Sequence, residues 1–408
     1  MSSGIRETVA AFSWLTPQPL YHAIRKGIRK MLCKNHDYPA QFAGNPNIRT
    51  DFRKFWALLL SLILCFSVCP APAESSVPDD GPSSGEPASS VPDDGPSSGE
   101  SASFGETPGF TMLTEASFAA DDVPEDYLTE SDHPGRVEKM KYTTSDENRE
   151  VKSVMVYLPV GYDDSEKPYN VMYILHAASG TTKNYLNPEK ATDFQCLLDH
   201  MIADGKLEPL IVVAASYYPT QGFTQFLPLA QQVEVTAAFP RELTEDILPA
   251  VAAKYRTYAA SSEEADLMQS RDHRAIAGFS LGGVTTWYVF LQEMRMFKWF
   301  LPISEASWDD GEGGTSGIWD SEVSAQVLYD AVIDQGFSKE DFRLFVATGT
   351  EDEAFDVSTS QMVSLLEYAD LFKPGENTSC SMMIGGTHTL QAVYTYLYHI
   401  LPALFADR

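Results

Sequence analysis

The chain has 408 residues, of which 57 are acidic and 29 basic, so its formal net charge is −28. A negative charge of this size argues against nucleic acid and anionic membrane surfaces as binding partners. No Cys/His cluster has the spacing of a zinc site, and no Walker-type phosphate loop is present. The sequence therefore predicts neither a metal site nor a cofactor, and the charge by itself does not point to a reaction.

A secretory signal peptide is predicted before residue 74. Three basic residues between positions 49 and 54 precede an apolar run of 14 residues, Phe55 to Val68, and an Ala-Pro-Ala cleavage sequence ends at Ala73. The run is too short to span a bilayer comfortably. We expect a secreted or extracellular protein that is cleaved after Ala73. Lipid attachment at Cys69, which would tether the protein to a membrane, is the competing interpretation, and the bulky Val68 before it argues against that.

The segments on either side of this signal have different explanations. Residues 23–32 could form a short basic amphipathic helix, but residues 1–48 are explained most simply by a start codon placed too far upstream. After the cleavage site, Ser75–Glu86 recurs without change as Ser89–Glu100. This repeat is dominated by proline, glycine, serine and aspartate, so it cannot bury apolar surface. We expect a disordered acidic linker over 74–106 and one large domain over 107–408.

Cleavage would change the charge and the cysteine content. The first 73 residues hold nine basic and three acidic residues, which leaves 20 basic and 54 acidic residues and a net charge of −34. Of the five cysteines only Cys196 and Cys380 remain. Cys196 lies in a predicted helix and Cys380 in a predicted strand, so two buried thiols are favoured over a disulfide.

The domain alternates between apolar strands and helices. Such alternation predicts an α/β fold with a mostly parallel central sheet and helices on both faces, with Val137 to Thr143 as an antiparallel edge strand. The predicted strands lie near 151–158, 170–176, 209–215, 273–279, 298–304, 341–348 and 379–384, and the predicted helices near 191–203, 241–257, 283–294, 321–335, 357–371 and 388–404.

The most informative motif is Gly278-Phe279-Ser280-Leu281-Gly282. It follows the apolar strand Ala275 to Phe279 directly and precedes the helical run Val284 to Met294. A strand, a G-x-S-x-G turn and a helix in succession are what a nucleophile elbow requires. The small glycines allow the sharp turn that exposes the serine hydroxyl. Ser280 is therefore the candidate catalytic nucleophile.

A serine needs a base, and the base needs an acid that orients it. His388 follows a predicted strand and Gly385-Gly386, and it is the candidate general base. The acid should lie in the loop after the strand that ends near Thr348, where Glu351, Asp352, Glu353 and Asp356 are the alternatives. The order serine, acid, histidine is the chain order of α/β-hydrolases.

Two backbone N–H groups are candidates for an oxyanion hole. Leu281 follows the nucleophile, and Ala178 lies in the loop after the strand Asn170 to Leu175. His176 at the start of that loop is interpreted as structural. Trp308, Tyr217 and Phe223 could contact a sugar or an aromatic acyl group, with core packing as the alternative for each.

From His133 to the C-terminus the chain resembles the esterase family of α/β-hydrolases that includes feruloyl and acetylxylan esterases of carbohydrate esterase family one. Esterase D type hydrolases are more distant relatives. The resemblance rests on six segments in the family's order: 156–162, 171–176, 246–249 with 254–257, 277–283, 349–352 and 385–388. In that family the aspartate after Gly-Thr-x is the triad acid, so the resemblance implies Asp352, with Glu351 as the alternative.

The chain departs from the family pattern at two places. His176-Ala177-Ala178 stands for His-Gly-Gly, and Ser304-Glu305-Ala306-Ser307-Trp308 stands where Ser-Gly-Asp-Ser-Trp is common. The resemblance implies a secreted serine esterase that acts on acylated plant polysaccharide, releasing ferulate or acetate, or on a small ester. A catalytically silent carbohydrate-binding protein with this fold is the alternative. An esterase D type thioester hydrolase is disfavoured because that reaction is cytosolic and this chain carries an export signal.

Overall fold

The structure is a computed structural model that describes residues 117–118, 122–220 and 222–406. The predicted signal peptide, Cys69 and the linker lie outside the described residues, so their assignments stay predictions. Within the described residues no helix is both long enough and apolar enough to cross a bilayer. Cys196 and Cys380 are both buried thiols, as expected.

A single sheet of nine strands organises the described residues, in the order β1-β9-β8-β7-β6-β4-β5-β3-β2. The seven strands β1, β9, β8, β7, β6, β4 and β5 are parallel to their neighbours in this series. The strand β3 is antiparallel to both β5 and β2. The predicted mostly parallel sheet with an antiparallel edge strand is therefore confirmed. The strands are β1 Ser117–Phe118, β2 Arg136–Thr143, β3 Val151–Leu158, β4 Asn170–Leu175, β5 Leu210–Ala215, β6 Arg274–Phe279, β7 Trp299–Ile303, β8 Arg343–Gly349 and β9 Thr378–Met383.

Helices cover both faces of this sheet. Successive side chains of a strand point to opposite faces, and the buried residues accordingly form two clusters. One face packs on α1 and α8, and the other packs on α2 to α7. The helices are α1 Asp193–Ala203, α2 Leu229–Glu242, α3 Leu248–Lys254, α4 Glu264–Gln269, α5 Leu281–Glu293, α6 Ser321–Asp334, α7 Phe355–Leu365 and α8 Leu390–Ile400.

The region before β6 differs from the sequence expectation. One helix was expected over 241–257, but α2 begins at Leu229, and a π-helical segment, Leu243–Ile247, joins it to α3. The buried stripe of α2 consists of Gln232, Thr236, Phe239 and Pro240, so two of its four members are polar and the hydrophobic period is weak. Pro240 inside the helix also removes a backbone donor. Both features hide this helix from sequence patterns.

The sheet topology fixes where a site can form. Parallel strands place their carboxyl ends on one edge of the sheet, and the loops that follow β4, β6, β7, β8 and β9 all leave from that edge. Each predicted catalytic side chain lies in one of these loops. The fold thus brings together residues that are far apart in the sequence.

Candidate active site

The turn between β6 and α5 holds Ser280 in an unusual backbone conformation. Its φ is 57° and its ψ is −122°, in a region that non-glycine residues rarely occupy. Such a conformation costs about 1–3 kcal/mol and persists only when the surroundings enforce it. Here the Ser280 N–H donates to the carbonyl oxygen of Ile303 on β7 at 2.9 Å. The predicted strand-turn-helix context of this serine is confirmed.

Glycines at both sides of the turn make this conformation sterically possible. A Cβ atom on Gly282 would lie 2.5 Å from the carbonyl oxygen of Leu175 at the end of β4. A Cβ on Gly278 would collide with the Gly282 carbonyl group. The close approach of α5 to two strands therefore requires glycine at both positions, which is the physical content of the sequence motif.

His388 and Asp352 are in direct contact. Nδ1 of His388 donates to Oδ1 of Asp352 at 2.8 Å, and the same oxygen accepts the N–H of Ala354 at 2.8 Å. The Asp352 side chain is fully buried, whereas Glu351 and Glu353 on either side of it are exposed. With Nδ1 bound to the carboxylate, Nε2 is the ring nitrogen that can accept a proton from a nucleophile.

The electrostatic surroundings of His388 favour its protonated form. Burial alone would lower the pKa of this imidazole, but the hydrogen bond and charge of Asp352, with Glu353 and Glu305 adding to them, raise it above the ordinary value. The ring also packs on Phe279, with ring centroids 4.5 Å apart. These contacts fix the ring and stabilise the positive charge that it would carry after taking a proton.

The loop after β4 is held by an unpredicted set of contacts. His176 is almost fully buried; its Nδ1 donates to the Ala177 carbonyl at 2.8 Å and its Nε2 accepts the Ser216 hydroxyl at 2.9 Å. Burial lowers the pKa of His176 to about 4, so it is neutral near pH 7. Tyr218 adds a second tie, because its hydroxyl accepts the Ser179 N–H at 3.1 Å. These bonds agree with a structural role for His176 and fix the loop that carries Ala178.

The two candidate oxyanion donors lie at the same edge of the sheet. Leu281 is the first residue of α5, so its N–H has no acceptor within the helix, and Ala178 is half-buried in the loop after β4. A Cβ atom on Gly282 would lie 2.5 Å from the carbonyl oxygen of Leu175, so α5 begins in contact with the end of β4. The Leu281 N–H thus lies at the start of a helix, and the Ala178 N–H lies in a loop that contacts of His176 and Ser179 hold in place.

The three predicted substrate contacts have different surroundings. Trp308 is buried in the loop after β7, and Tyr217 is buried against His176 with ring centroids 4.8 Å apart. Phe223 packs on Tyr218. Tyr217 and Phe223 also line a cavity of about 570 Å³ formed with α2 and the β2–β3 turn, and the residues that line this cavity do not include Ser280, Asp352 or His388.

A known protein family matches the chain. Residues 145–370, more than half of the chain, match the family described as "Putative esterase". The chain therefore belongs to this esterase family.

Two larger proteins are among those of known sequence that match the chain. Endo-1,4-beta-xylanase Y from Acetivibrio thermocellus is 30% identical over 307 residues, which are 74% of this chain and 26% of that protein. An endo-1,4-beta-xylanase/feruloyl esterase from Xylanibacter ruminicola is 27% identical over 161 residues, which are 38% of this chain and 20% of that protein. The chain thus matches about a quarter of the length of the first protein and a fifth of the length of the second.

Solved structures share the fold. A serine-to-alanine mutant of the feruloyl esterase module from Clostridium thermocellum, in complex with sinapinate, is 29% identical, with a TM-score of 0.60 and coverage of 72% of this chain and 95% of that chain. A ferulic acid esterase from Anaeromyces mucronatus has a TM-score of 0.54 at 19% identity and covers 69% and 96% of the two chains. The predicted α/β-hydrolase fold and the family resemblance are confirmed.

The first prediction concerns the close approach at the elbow. Gly282→Ala should displace α5 from β4, because the added methyl group has no room, and should lower the free energy of unfolding by about 1–3 kcal/mol. Urea unfolding would measure this loss of stability. With p-nitrophenyl acetate as substrate, kcat should fall by a larger factor than the factor by which KM changes.

Gly336 supplies the matched control. It follows α6 with a φ of 77°, and a Cβ there would meet no atom within 4 Å. Gly336→Ala should cost only the backbone strain, about 1 kcal/mol, and leave turnover unchanged. Equal effects on turnover from the two substitutions would contradict the steric explanation.

The second prediction separates the acids of the loop after β8. Asp352→Asn replaces the carboxylate by a neutral amide that can donate to Nδ1 of His388, so it should favour the wrong tautomer and lower kcat by about 10⁴-fold, as for triad aspartates in general. Glu351→Gln, a change of the same chemistry at the exposed neighbouring residue, should have little effect. The measurement is kcat for ester hydrolysis. A larger loss from Glu351→Gln than from Asp352→Asn would contradict the assignment of Asp352 as the acid.

Proposed function

We propose that this domain is a serine carboxylic ester hydrolase that uses Ser280, His388 and Asp352. The observation that carries the proposal is the strained turn at Ser280 on the same sheet edge as the His388–Asp352 hydrogen bond. A strained serine turn is retained only where the surroundings enforce it. A buried carboxylate bound to Nδ1 leaves Nε2 to act as a base. Membership of an esterase family supports the same reaction.

The reaction follows from these groups in two halves. The Ser280 hydroxyl oxygen attacks the ester carbonyl while His388 Nε2 takes its proton, and the oxyanion accepts hydrogen bonds from the Leu281 and Ala178 N–H groups. Collapse of this intermediate expels the alcohol, which receives the proton from His388, and leaves an acyl-enzyme. Water, deprotonated by His388, then attacks the acyl carbonyl and releases the carboxylic acid and free Ser280.

The favoured substrate is an acylated plant polysaccharide that carries feruloyl or acetyl esters. Support comes from the matching relatives, which include a xylanase/feruloyl esterase and a feruloyl esterase module whose structure holds sinapinate. Trp308, Tyr217 and Phe223 are the residues proposed to contact the acyl group or the sugar.

The third prediction tests the nucleophile and the substrate together. Ser280→Ala should remain folded and lose turnover by several orders of magnitude, because triad members act as a unit. Hydrolysis of methyl ferulate, acetylated xylan and p-nitrophenyl acetate by the parent protein would identify the acyl group. Unchanged turnover in folded Ser280→Ala would refute the assignment, and an inactive parent protein that binds xylo-oligosaccharides would favour the carbohydrate-binding alternative.

We also propose that the protein is exported, on the basis of the charge, apolar run and cleavage sequence at 49–73. The fourth prediction is that secreted material begins at Glu74 and that a protein starting near Thr107 keeps full activity, because every proposed catalytic group lies after residue 170. N-terminal sequencing and the activity of the shortened protein measure these two points. A lipid-modified N-terminus at Cys69 would replace free secretion by membrane anchoring.

A further inference from the structure

A cavity of about 570 Å³ lies at the same edge of the sheet as the candidate active site, and the mechanism above does not use it. Its walls come from the loop after β5, from α2 and from the β2–β3 turn. Because β3 runs antiparallel to β5, this turn lies at the carboxyl end of β5, the end from which the loops of Ser280 and His388 also leave the sheet. The volume falls within the range of about 300–1,000 Å³ that is usual for small-molecule sites.

The cavity shares a wall with the loop that carries the candidate oxyanion donor Ala178. Tyr217 and Tyr218 line the cavity, and both rings pack on His176 at the start of that loop, with ring centroids 4.8 Å and 5.5 Å away. The Tyr218 hydroxyl also accepts the Ser179 N–H of the loop at 3.1 Å. A single layer of side chains therefore separates the cavity from this loop.

Part of the cavity wall is aromatic. Phe239 of α2 is a buried lining residue, and the lining residue Phe223 packs on Tyr218 with ring centroids 4.8 Å apart. Phe226, directly before the lining residue Leu227, is 72% exposed. The face of an aromatic ring carries partial negative charge and attracts the polarised C–H groups of a sugar ring. An exposed ring beside an aromatic cavity wall therefore suits a carbohydrate.

The face of α2 that lines the cavity carries small and polar residues. They recur at helical spacing and are Gln231, Glu234, Val235 and Ala238. The carboxylate of the exposed Glu234 forms no hydrogen bond or ion pair with any described residue, so both of its oxygens can accept hydrogen bonds from a ligand. The methyl group of Ala238 leaves space that a larger side chain would fill.

The charge of the cavity disfavours an anionic ligand. Five carboxylates and one guanidinium line it. Glu242 is paired with Lys152 at 2.6 Å, and Glu245 is paired with Arg241 at 2.9 Å. The carboxylates without a cationic partner among the described residues are Asp146, Glu234 and Asp246. A neutral ligand with several hydroxyl groups meets both the aromatic rings and these acceptors.

We propose that this cavity is a subsite for neutral sugar units of the substrate chain, separate from the groups that react with the ester. The identity of the ligand rests on the proposed function, whereas the cavity and its lining do not. Sugar rings pack on Phe223 and Phe226, and their hydroxyl groups donate to Glu234. The subsite adds affinity for a sugar-linked ester and none for p-nitrophenyl acetate, which has no sugar to place there.

The fifth prediction is that the parent protein binds xylotriose in this cavity, as measured by isothermal titration calorimetry. Ala238→Trp should abolish binding because the added indole fills the space beside α2. Phe223→Ala removes an aromatic contact, and Glu234→Gln removes a charged acceptor. Each of these two changes should weaken binding by about 3- to 10-fold.

Two substitutions of the same chemistry outside the cavity serve as controls. Tyr258→Ala removes an exposed aromatic ring that stacks on His273 at the amino end of β6. Glu208→Gln removes an exposed carboxylate shortly before β5. Neither residue lines the cavity, so neither substitution should change the affinity for xylotriose.

Three results would overturn the proposal. The first is no binding of xylotriose by the parent protein. The second is unchanged binding in folded Ala238→Trp, or in both Phe223→Ala and Glu234→Gln. The third is binding of the cationic probe benzylamine in this cavity with no binding of xylotriose, which would assign the cavity to an organic cation.

Kinetics separate the subsite from the proposed function. Ala238→Trp should raise KM for an acetylated xylo-oligosaccharide by a larger factor than KM for p-nitrophenyl acetate, and equal factors would contradict a sugar subsite. A parent protein that binds xylotriose in the cavity but hydrolyses no ester would refute the proposed function and retain the sugar site. An active parent protein that does not bind xylotriose would refute the subsite alone.

Discussion

The site depends on one steric constraint, the close approach of α5 to the ends of β4 and β6. The helix can begin this close to the sheet only because Gly278 and Gly282 have no side chains. The approach forces the intervening Ser280 into a conformation with positive φ. The turn at Ser280 and the start of α5 are thus consequences of a single packing contact.

The strain at this turn is balanced by contacts between neighbouring strands. The Ser280 N–H is bound by β7, and Ser304 at the end of β7 is in turn bound by β8. Both serines have positive φ, so two successive strained residues are each held by the next strand along the sheet. A parallel sheet suits this arrangement because all of these strands end at the same edge. Ordinary loops without such ties would relax to more favourable backbone angles.

The charges at the site are arranged around His388. The buried Asp352 orients the His388 ring through a hydrogen bond. The exposed Glu353, in the same loop, helps to raise the pKa of His388 through its negative charge. The hydrogen bond and charge of Asp352 and the charge of Glu353 outweigh the burial of His388, so its pKa is raised. The pKa of His176 is shifted in the opposite direction. This imidazole is buried without a carboxylate partner, so burial lowers its pKa.

The sequence is enough to predict the local features of this protein. These features are the apolar strands, the antiparallel edge strand and the glycine-flanked serine. A short stretch of sequence predicts each of them, because strand periodicity and the need for glycine at a tight turn are local properties. The sequence did not reveal α2, whose buried stripe includes Gln232 and Thr236. These polar residues are buried by tertiary contacts, which a short sequence pattern does not contain. The contact between His388 and one acid of the loop after β8 depends on tertiary structure. The fold brings Asp352 to that ring across 36 positions of sequence, because the loops after β8 and β9 leave the same edge of the sheet.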